Sequence, residues 1–568
     1  MMSNRLIPAV ALGLATALVV AGCSSDSSEE SSNSPAPSNS ESASAGAAVG
    51  TEALTIGMPN GTQTDNSNPF VNTSSAQSLG YAYAIYEPLF QVTDISDTPP
   101  EPWLATDAAW NEDYSSVTFT VRDGVNWSDG TPLTADDVAF SFQIRKDNEA
   151  LNNTALPYGD ITVDGNTVTV GFTQPVFVKA NRVLNTFIVP KHIWEGIADP
   201  TTDLNQDPIG TGPYVLENWT PEAVKLVPNA DYWGGTPAAP ELLYTSYTDN
   251  AAMTTALVAG ELQWGWTNIS DYENVYIAKD PEHNHFWTPS GLAVDVLYLN
   301  NETKPFNDVA VRQALSMVTD RNAIYNIGSE KAFPEVTSIT GMPTPAGNAF
   351  ISSEYEGKEY SVDVEGAKKV LTDAGYTYEG DKLFDKDGEQ VTFTLTDPAG
   401  WNDYVTTLQQ IADMASQIGI EATVDTPDAD SWFGDIAAGD FQASLHWTDG
   451  GPTPYDMYSD IMDGAYYLPQ GEAANWNFGR YNNDEATKAL ADFSSASEDS
   501  VRQEAMDIVQ KRFVEDQPAI IVRGRPASAE YSSKYYTGWP SDEDPYNQAQ
   551  PTGPQASQIL MKLKPATD

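Results

Sequence analysis

The chain has 568 residues with 28 Lys and Arg against 80 Asp and Glu, a formal net charge of −52, so its field repels phosphate backbones and excludes nucleic acid as a partner. A single cysteine, Cys23, rules out intramolecular disulfides and thiolate metal sites. The 14 Trp and 27 Tyr exceed what the cores of a polar chain require, and many stand beside Asn, Asp and Gly, a combination that suits a ligand cleft.

The first segment reads as an address. Arg5 precedes an apolar run, residues 6–21, broken only by small residues, Thr16 and Pro8, and too short to span a bilayer comfortably. It ends in Val20-Ala21-Gly22-Cys23, which resembles the bacterial lipobox, where the thiol is acylated and the chain is cut just before it. Residues 1–23 are thus expected to be a lipoprotein signal peptide with Cys23 as the lipid attachment point; an ordinary secretory signal with an incidental cysteine is the alternative. One acyl chain binds a membrane only marginally, so stable anchoring needs several. Residues 24–51, rich in Ser, Glu, Asn, Pro, Ala and Gly, have almost nothing large and apolar to bury and read as a disordered tether. The remaining roughly 515 residues suffice for three or four units of about 150 residues.

The alternation in residues 53–58 predicts a strand, and the loop 59–69 that follows is dense in Asn, Gly, Thr and Asp. Loops at strand ends carry function, which makes Asn60 a candidate ligand contact. Val117, Phe119 and Val121 alternate with Ser116, Thr118 and Thr120 as a half-buried strand. Thr134, with Asp136 and Asp137 in the following turn, starts a helix whose dipole the acids meet. A hairpin over 161–172 turns at Asp164-Gly165. Helices follow over 308–318 and 367–374, the second stopped by Gly375. Asp385-Lys386-Asp387-Gly388 looks like the start of a calcium loop, but the later ligands are missing, so it predicts a turn before the strand 391–395. After Gly400-Trp401, Tyr404, Leu408, Ile411, Ala415 and Ile418 keep helical spacing until Gly419. Strands at 420–424 and 519–522 flank a helical span, 501–513. Strands alternating with helices indicate α/β architecture.

Tyr86-Glu87-Pro88-Leu89-Phe90, Phe119-Thr120-Val121-Arg122-Asp123-Gly124-Val125 and Trp127-Ser128-Asp129-Gly130-Thr131-Pro132-Leu133-Thr134-Ala135-Asp136-Asp137-Val138 form an ordered series. It continues with Gly210-Thr211-Gly212-Pro213-Tyr214, Asn229-Ala230-Asp231-Tyr232-Trp233, Pro305-Phe306-Asn307-Asp308 and Val311-Arg312-Gln313-Ala314-Leu315. In this order the series resembles family 5 of the extracellular solute-binding proteins of ABC importers, which serve dipeptides, oligopeptides, nickel and oligosaccharides. The resemblance implies an α/β clamshell of the periplasmic-binding-protein type (type II) with an additional inserted domain, closing over its ligand by a hinge. It places the first lobe at 52–95, 206–300 and 530–568, the insert at 96–205 and the second lobe at 301–529. Gly, Pro and Trp within the motifs are expected to set turns and packing.

Within the family, three stretches are more similar to the branch that binds cello- or other β-linked oligosaccharides: Gly400-Trp401-Asn402-Asp403-Tyr404, Trp447-Thr448-Asp449-Gly450-Gly451-Pro452-Thr453-Pro454-Tyr455, and Thr537-Gly538-Trp539-Pro540 with Pro545-Tyr546. Peptide binders of the family hold the ligand's ammonium with an Asp a few residues after a Trp. Asp449 lies near that position in a shifted register, so a peptide ligand is the alternative. A sugar ring offers an apolar face and a fringe of hydroxyls, and needs flat aromatic platforms with a few donors and acceptors. Trp401, Trp432, Trp447 and Trp476, with Trp264 and Trp266 from the other lobe, are candidate platforms; Asn60, Asn402 and Asp449 are candidate hydroxyl partners. Core packing is the other role open to each Trp.

At one acid in every seven residues, paired carboxylates do not argue for a glycosidase. No metalloprotease, phosphate-loop or Gly-x-Ser-x-Gly signature occurs, and His192, His283, His285 and His446 have no metal-ligand spacing worth adopting. The expectation is a substrate-binding lipoprotein of an ABC importer, a monomer without catalytic residues, metal or cofactor. It would hold a cellobiose-like oligosaccharide between two lobes, at the outer face of the cytoplasmic membrane, and deliver it to the permease subunits.

Overall fold

Leu54–Met58, the first strand of the chain, lies inside a seven-stranded sheet and runs parallel to both neighbours. The computed structural model describes residues 50–568 except 96–97, 290, 329–331, 497, 526–527 and 568. The signal peptide, Cys23 and nearly all of the tether therefore lie outside the described residues. The order in this first sheet is Asn284–Trp287, Ala529–Ser532, Trp264–Gly265, Leu54–Met58, Leu242–Ser246, Val224–Pro228, Tyr214–Trp219. The helix Asn250–Ala259 starts where the Asp249 carboxylate accepts from the Ala252 amide and stops at Gly260, whose φ of 73° favours glycine.

The insert is a four-stranded antiparallel sheet in the order Ala105–Trp110, Ser116–Val121, Thr167–Phe172, Tyr158–Asp164. Val117, Phe119 and Val121 point into its core, as the alternation predicts. The helix Ala135–Asp147 covers this sheet, and of its two leading acids it is Asp137 that reaches back, accepting from the Thr134 amide at 2.8 Å. Glu87 ties the insert to the first lobe. Fully buried, it accepts from the Trp103 indole (2.7 Å), the Tyr232 hydroxyl (2.6 Å) and the Trp233 indole (3.0 Å). The motif residues Glu87, Tyr232 and Trp233 are thus structural.

The second lobe holds a five-stranded sheet in the order Glu421–Asp425, Thr392–Thr396, Ala443–Trp447, Val294–Leu299, Ala519–Gly524. Val294–Leu299 corrects the sequence division, which placed 294–300 in the first lobe: the strand pairs on both sides within the second sheet, and all six of its residues are buried. Six consecutive buried residues mark a strand covered on both faces, with the one acid among them, Asp295, paired to Arg523. The helix Asn402–Ser416 buries Tyr404, Leu408, Ile411 and Ala415 as one stripe, and Gly419 (φ 76°) follows it.

The chain passes between these two sheets twice. Residues 288–293 lead from Asn284–Trp287 to Val294–Leu299, and residues 525–528 lead from Ala519–Gly524 to Ala529–Ser532. The two crossings are bonded to each other, the Arg525 amide donating to the Ala293 carbonyl at 2.8 Å. A two-strand crossing between separately packed lobes is the geometry of a hinge.

Candidate functional site

A cavity of about 410 Å³ opens at these crossings. Its wall combines Pro289, Leu292, Ala293 and Arg525 of the crossings with Tyr83 and Asp94 of the first lobe, Arg182 of the insert, the second-lobe loop 447–451, and Asn547 to Gln555 near the C-terminus. Segments from both lobes, the insert and the crossings thus meet at one cavity, within the usual size range of small-molecule sites.

The second-lobe loop leaves the buried strand Ala443–Trp447 and is pinned at once. Thr448 exchanges two hydrogen bonds with Val294, its amide to the carbonyl (2.9 Å) and its hydroxyl with the amide (3.1 Å). The Asp449 amide donates to Asp460 Oδ2 at 2.7 Å. Arg182, from the short helix Ala180–Leu184, faces this loop across the lobes. Its Nη2 lies 3.4 Å from Asp449 Oδ2 and 3.6 Å from Asp456 Oδ2, and donates to the Gly450 carbonyl at 2.9 Å. Burial pushes the Asp456 carboxyl up to about 6, against the pull of Arg182. Burial also raises Asp460 well above the usual carboxylate range, and the charges of Asp449 and Asp456 add to the shift. Asp449, whose side chain is 42 % exposed, is the acid of this group that meets solvent.

Trp447 stands at the cavity wall with both ring faces covered. The His446 ring lies nearly parallel at 4.0 Å between centroids, and the Arg525 guanidinium sits over the ring at 4.3 Å. Two groups this close to one ring cannot share a face. Burial holds His446 down to about 3, so it is neutral at physiological pH. Trp447 therefore serves as a support for Arg525, which corrects its expected role as an open platform.

The other candidates separate by burial. Trp401 is half-buried at the start of the helix Asn402–Ser416, in edge contact with Trp432 (5.1 Å) and 6.0 Å from Trp447. Trp476 is half-buried against His446 and Phe478. Both back the aromatic cluster without lining the cavity. Trp432 and Trp264 are core residues, which overturns their expected role. Each is 0 % exposed, with its indole satisfied by Ser444 Oγ (2.9 Å) and the Ala549 carbonyl (2.7 Å) respectively. Trp266 packs across the lobes against Phe333, 5.9 Å between centroids. The Asn60 amide donates to the Ser78 carbonyl (2.7 Å), and Asn402 is exposed at the helix start. Neither lines the cavity, nor does Trp264 or Trp266. Of the expected contacts, Trp447 and Asp449 line it.

The sequence reading missed Arg182, Arg525, Tyr83 and the glutamines Gln548 and Gln555. For the arginines no local signal was present, because the groups they meet, Asp449 and Asp456 for Arg182 and Trp447 for Arg525, lie far along the chain. Among the described residues no group of His, Cys, Asp and Glu is arranged to hold a metal ion, and no helix is long and apolar enough to cross a membrane.

The model of the bacterial extracellular solute-binding proteins, family 5 (Middle), matches residues 99–467. The oligopeptide-binding protein AppA of Bacillus subtilis is 26% identical over 440 residues, which is 70% of this chain and 73% of that protein. Protein XP55 of Streptomyces lividans is 30% identical over 331 residues, 55% of this chain and 57% of that one. Among solved structures, a mannohexaose-bound periplasmic oligopeptide-binding protein of an oligopeptide ABC transporter from Thermotoga maritima superposes with a TM-score of 0.81 at 25% identity, covering 91% of this chain and 99% of that one. AppA of Bacillus subtilis in complex with a nonapeptide gives 0.76 at 22% identity, covering 92% and 100%.

Proposed function

We propose, from the premise that this chain belongs to family 5 of the bacterial extracellular solute-binding proteins, that the solute it captures for its ABC importer is a β-linked oligosaccharide. The family binds solutes and does not transform them, so the chain is a binding protein and not an enzyme. The observation that carries the sugar reading is the Arg182–Asp449 pair at 3.4 Å. Asp449 lies near the position where the family resemblance puts the acid that holds a peptide's ammonium, and here an arginine of the protein already meets its charge. A ligand without an ammonium fits that wall better than one that must displace Arg182. The Thermotoga neighbour described with mannohexaose supports the same direction. A peptide is the second reading, favoured by the similarity to AppA and its nonapeptide complex. Calorimetric titration with mannohexaose, cellobiose, cellotetraose and a peptide mixture distinguishes them: saturable one-to-one binding of a sugar with silent peptides is the expected result, and the reverse would remove the sugar reading.

The lipobox motif adds the place of action. Cys23 acylation would hold the mature chain at the outer face of the cytoplasmic membrane on the tether 24–51, beside the permease. A Cys23→Ser variant is expected to move from the membrane pellet to the soluble fraction or the medium, and to lose label from a radioactive fatty acid. Retention equal to wild type would contradict the anchor.

A further inference from the structure

Ten arginines fall among the described residues, and nine of them give their guanidinium to a carboxylate or a backbone carbonyl. Arg525 is the exception: among the described residues its guanidinium has no hydrogen bond and no ion pair, only the Trp447 ring beneath it at 4.3 Å. It lines the cavity, and its backbone sits on one hinge crossing and bonds to the other through Ala293. In a chain where acids outnumber cations by 80 to 28, a cavity-wall arginine left without a counter-charge is the anomaly of this site.

The nearby acids do not relieve it. Asp449 and Asp456 take Arg182. Asp94, also in the wall, accepts from the Asn181 amide at 2.8 Å and acts on Arg182 as well. His446, behind Trp447, is neutral and supplies no charge of either sign. The acids that line the cavity, Asp94 and Asp449, thus both bear on Arg182, and among the described residues no carboxylate pairs with Arg525.

We infer that Arg525, seated over the Trp447 ring, is a subsite for a carboxylate of the bound ligand. The ring contact spends none of the N–H donors of the guanidinium, and the planar N–H fork of an arginine matches the two oxygens of a carboxylate. Closing the cavity over a neutral ligand would take the guanidinium out of water with no counter-charge, which is costly, whereas a carboxylate removes that penalty. The acidic surface opposes an anion at long range, but about 0.15 M salt screens that field beyond roughly 8 Å and leaves the contact at Arg525 to decide. The inference rests on this cavity being the ligand site. Combined with the sugar reading it names an acidic oligosaccharide, one carrying a uronate; a peptide C-terminus offers the same chemistry from another source.

The test is calorimetric titration of the purified protein with cellotetraose, with the same tetrasaccharide ending in a glucuronate, and with tetra-alanine as free acid and as C-terminal amide. Each is repeated on Arg525→Gln and Arg525→Lys after their unfolding curves have been checked against wild type. The expected result is that the glucuronate-ended sugar binds about tenfold tighter than the neutral one, that Arg525→Gln abolishes the difference and that Arg525→Lys keeps part of it. Equal binding of the two sugars, or a difference that survives Arg525→Gln, overturns the inference while leaving the sugar reading in place. If only peptide binds, the sugar reading falls, and the Arg525 subsite stands only if amidation or Arg525→Gln weakens that binding about tenfold. If no carboxylate-bearing probe binds, the subsite is overturned.

Discussion

Arg523→Met is expected to destabilise the protein by about 3 to 5 kcal/mol, the cost of leaving buried charge without its partner. Arg523 is 1 % exposed; its Nε donates to Asp295 Oδ2 at 2.6 Å and its Nη2 to Asp403 Oδ2 at 2.8 Å. The two acids are 4 % and 11 % exposed, so water cannot take over the lost bonds. The Tyr404 hydroxyl also donates to Asp295, and Phe333 lies over the guanidinium at 4.5 Å. Asp403 in turn accepts from the Asn250 amide of the first lobe at 3.3 Å, so the trio links the lobes behind the cavity. Urea unfolding measures the loss as a lower midpoint at unchanged slope. A change below about 1 kcal/mol would show that the trio contributes little. Replacing all three members by apolar residues of similar volume should recover much of the loss, because the penalty belongs to the stranded acids rather than to the missing attraction.

Trp432→Ala should have a stability cost of similar size, about 3 to 5 kcal/mol, with any effect on ligand affinity secondary. The ring is fully buried, stacks on His446 at 5.5 Å and 16°, and touches Phe433 at 4.8 Å and Trp401 at 5.1 Å. Its removal opens a void under the cluster that supports Trp447. Unfolding by urea and titration of the same variant with the best sugar separate the two roles assigned to this residue. Wild-type stability with abolished binding would return Trp432 to the ligand; the reverse pattern is the one its burial predicts.

Periodicity revealed most of the secondary structure where one face is buried and the other wet. The stripe of Tyr404, Leu408, Ile411 and Ala415 and the alternation of Val117, Phe119 and Val121 are of this kind. The failure at Val294–Leu299 has the opposite cause. A strand buried on both faces carries no alternation, and its membership in one sheet or another depends on pairings with Ala443–Trp447 and Ala519–Gly524, far along the chain. Motif order identified the family because turns and buried anchors such as Glu87 need the same residues in the same places.

The site was legible only in part. Trp447 and Asp449 line the cavity, and an aromatic next to a polar loop at a strand end is the local signal that singled them out, although Trp447 stands there as a support and not as an open platform. Trp432 and Trp264 show its limit, since a Trp with one hydrogen bond to make satisfies it as well inside a core as at a cleft. Arg182 and Arg525 escaped because they matter through what lies opposite them. One meets Asp449 and Asp456 across the lobes, and the other lies on Trp447 beside the hinge. No spacing along the chain encodes those meetings.

The most direct test is a calorimetric titration of wild type and Asp449→Asn with the best sugar and the best peptide from the ligand series. If Asp449 is already paired with Arg182 and offers the ligand only hydrogen bonds, an amide oxygen replaces part of its function. The account therefore predicts that wild type binds the sugar, and that Asp449→Asn weakens it by about 1 to 2 kcal/mol, roughly five- to thirtyfold. If Asp449 instead holds a buried ammonium, removing its charge costs about 3 to 5 kcal/mol. Peptide binding that falls by about a thousandfold or more in Asp449→Asn, with no sugar bound by either protein, would contradict the account.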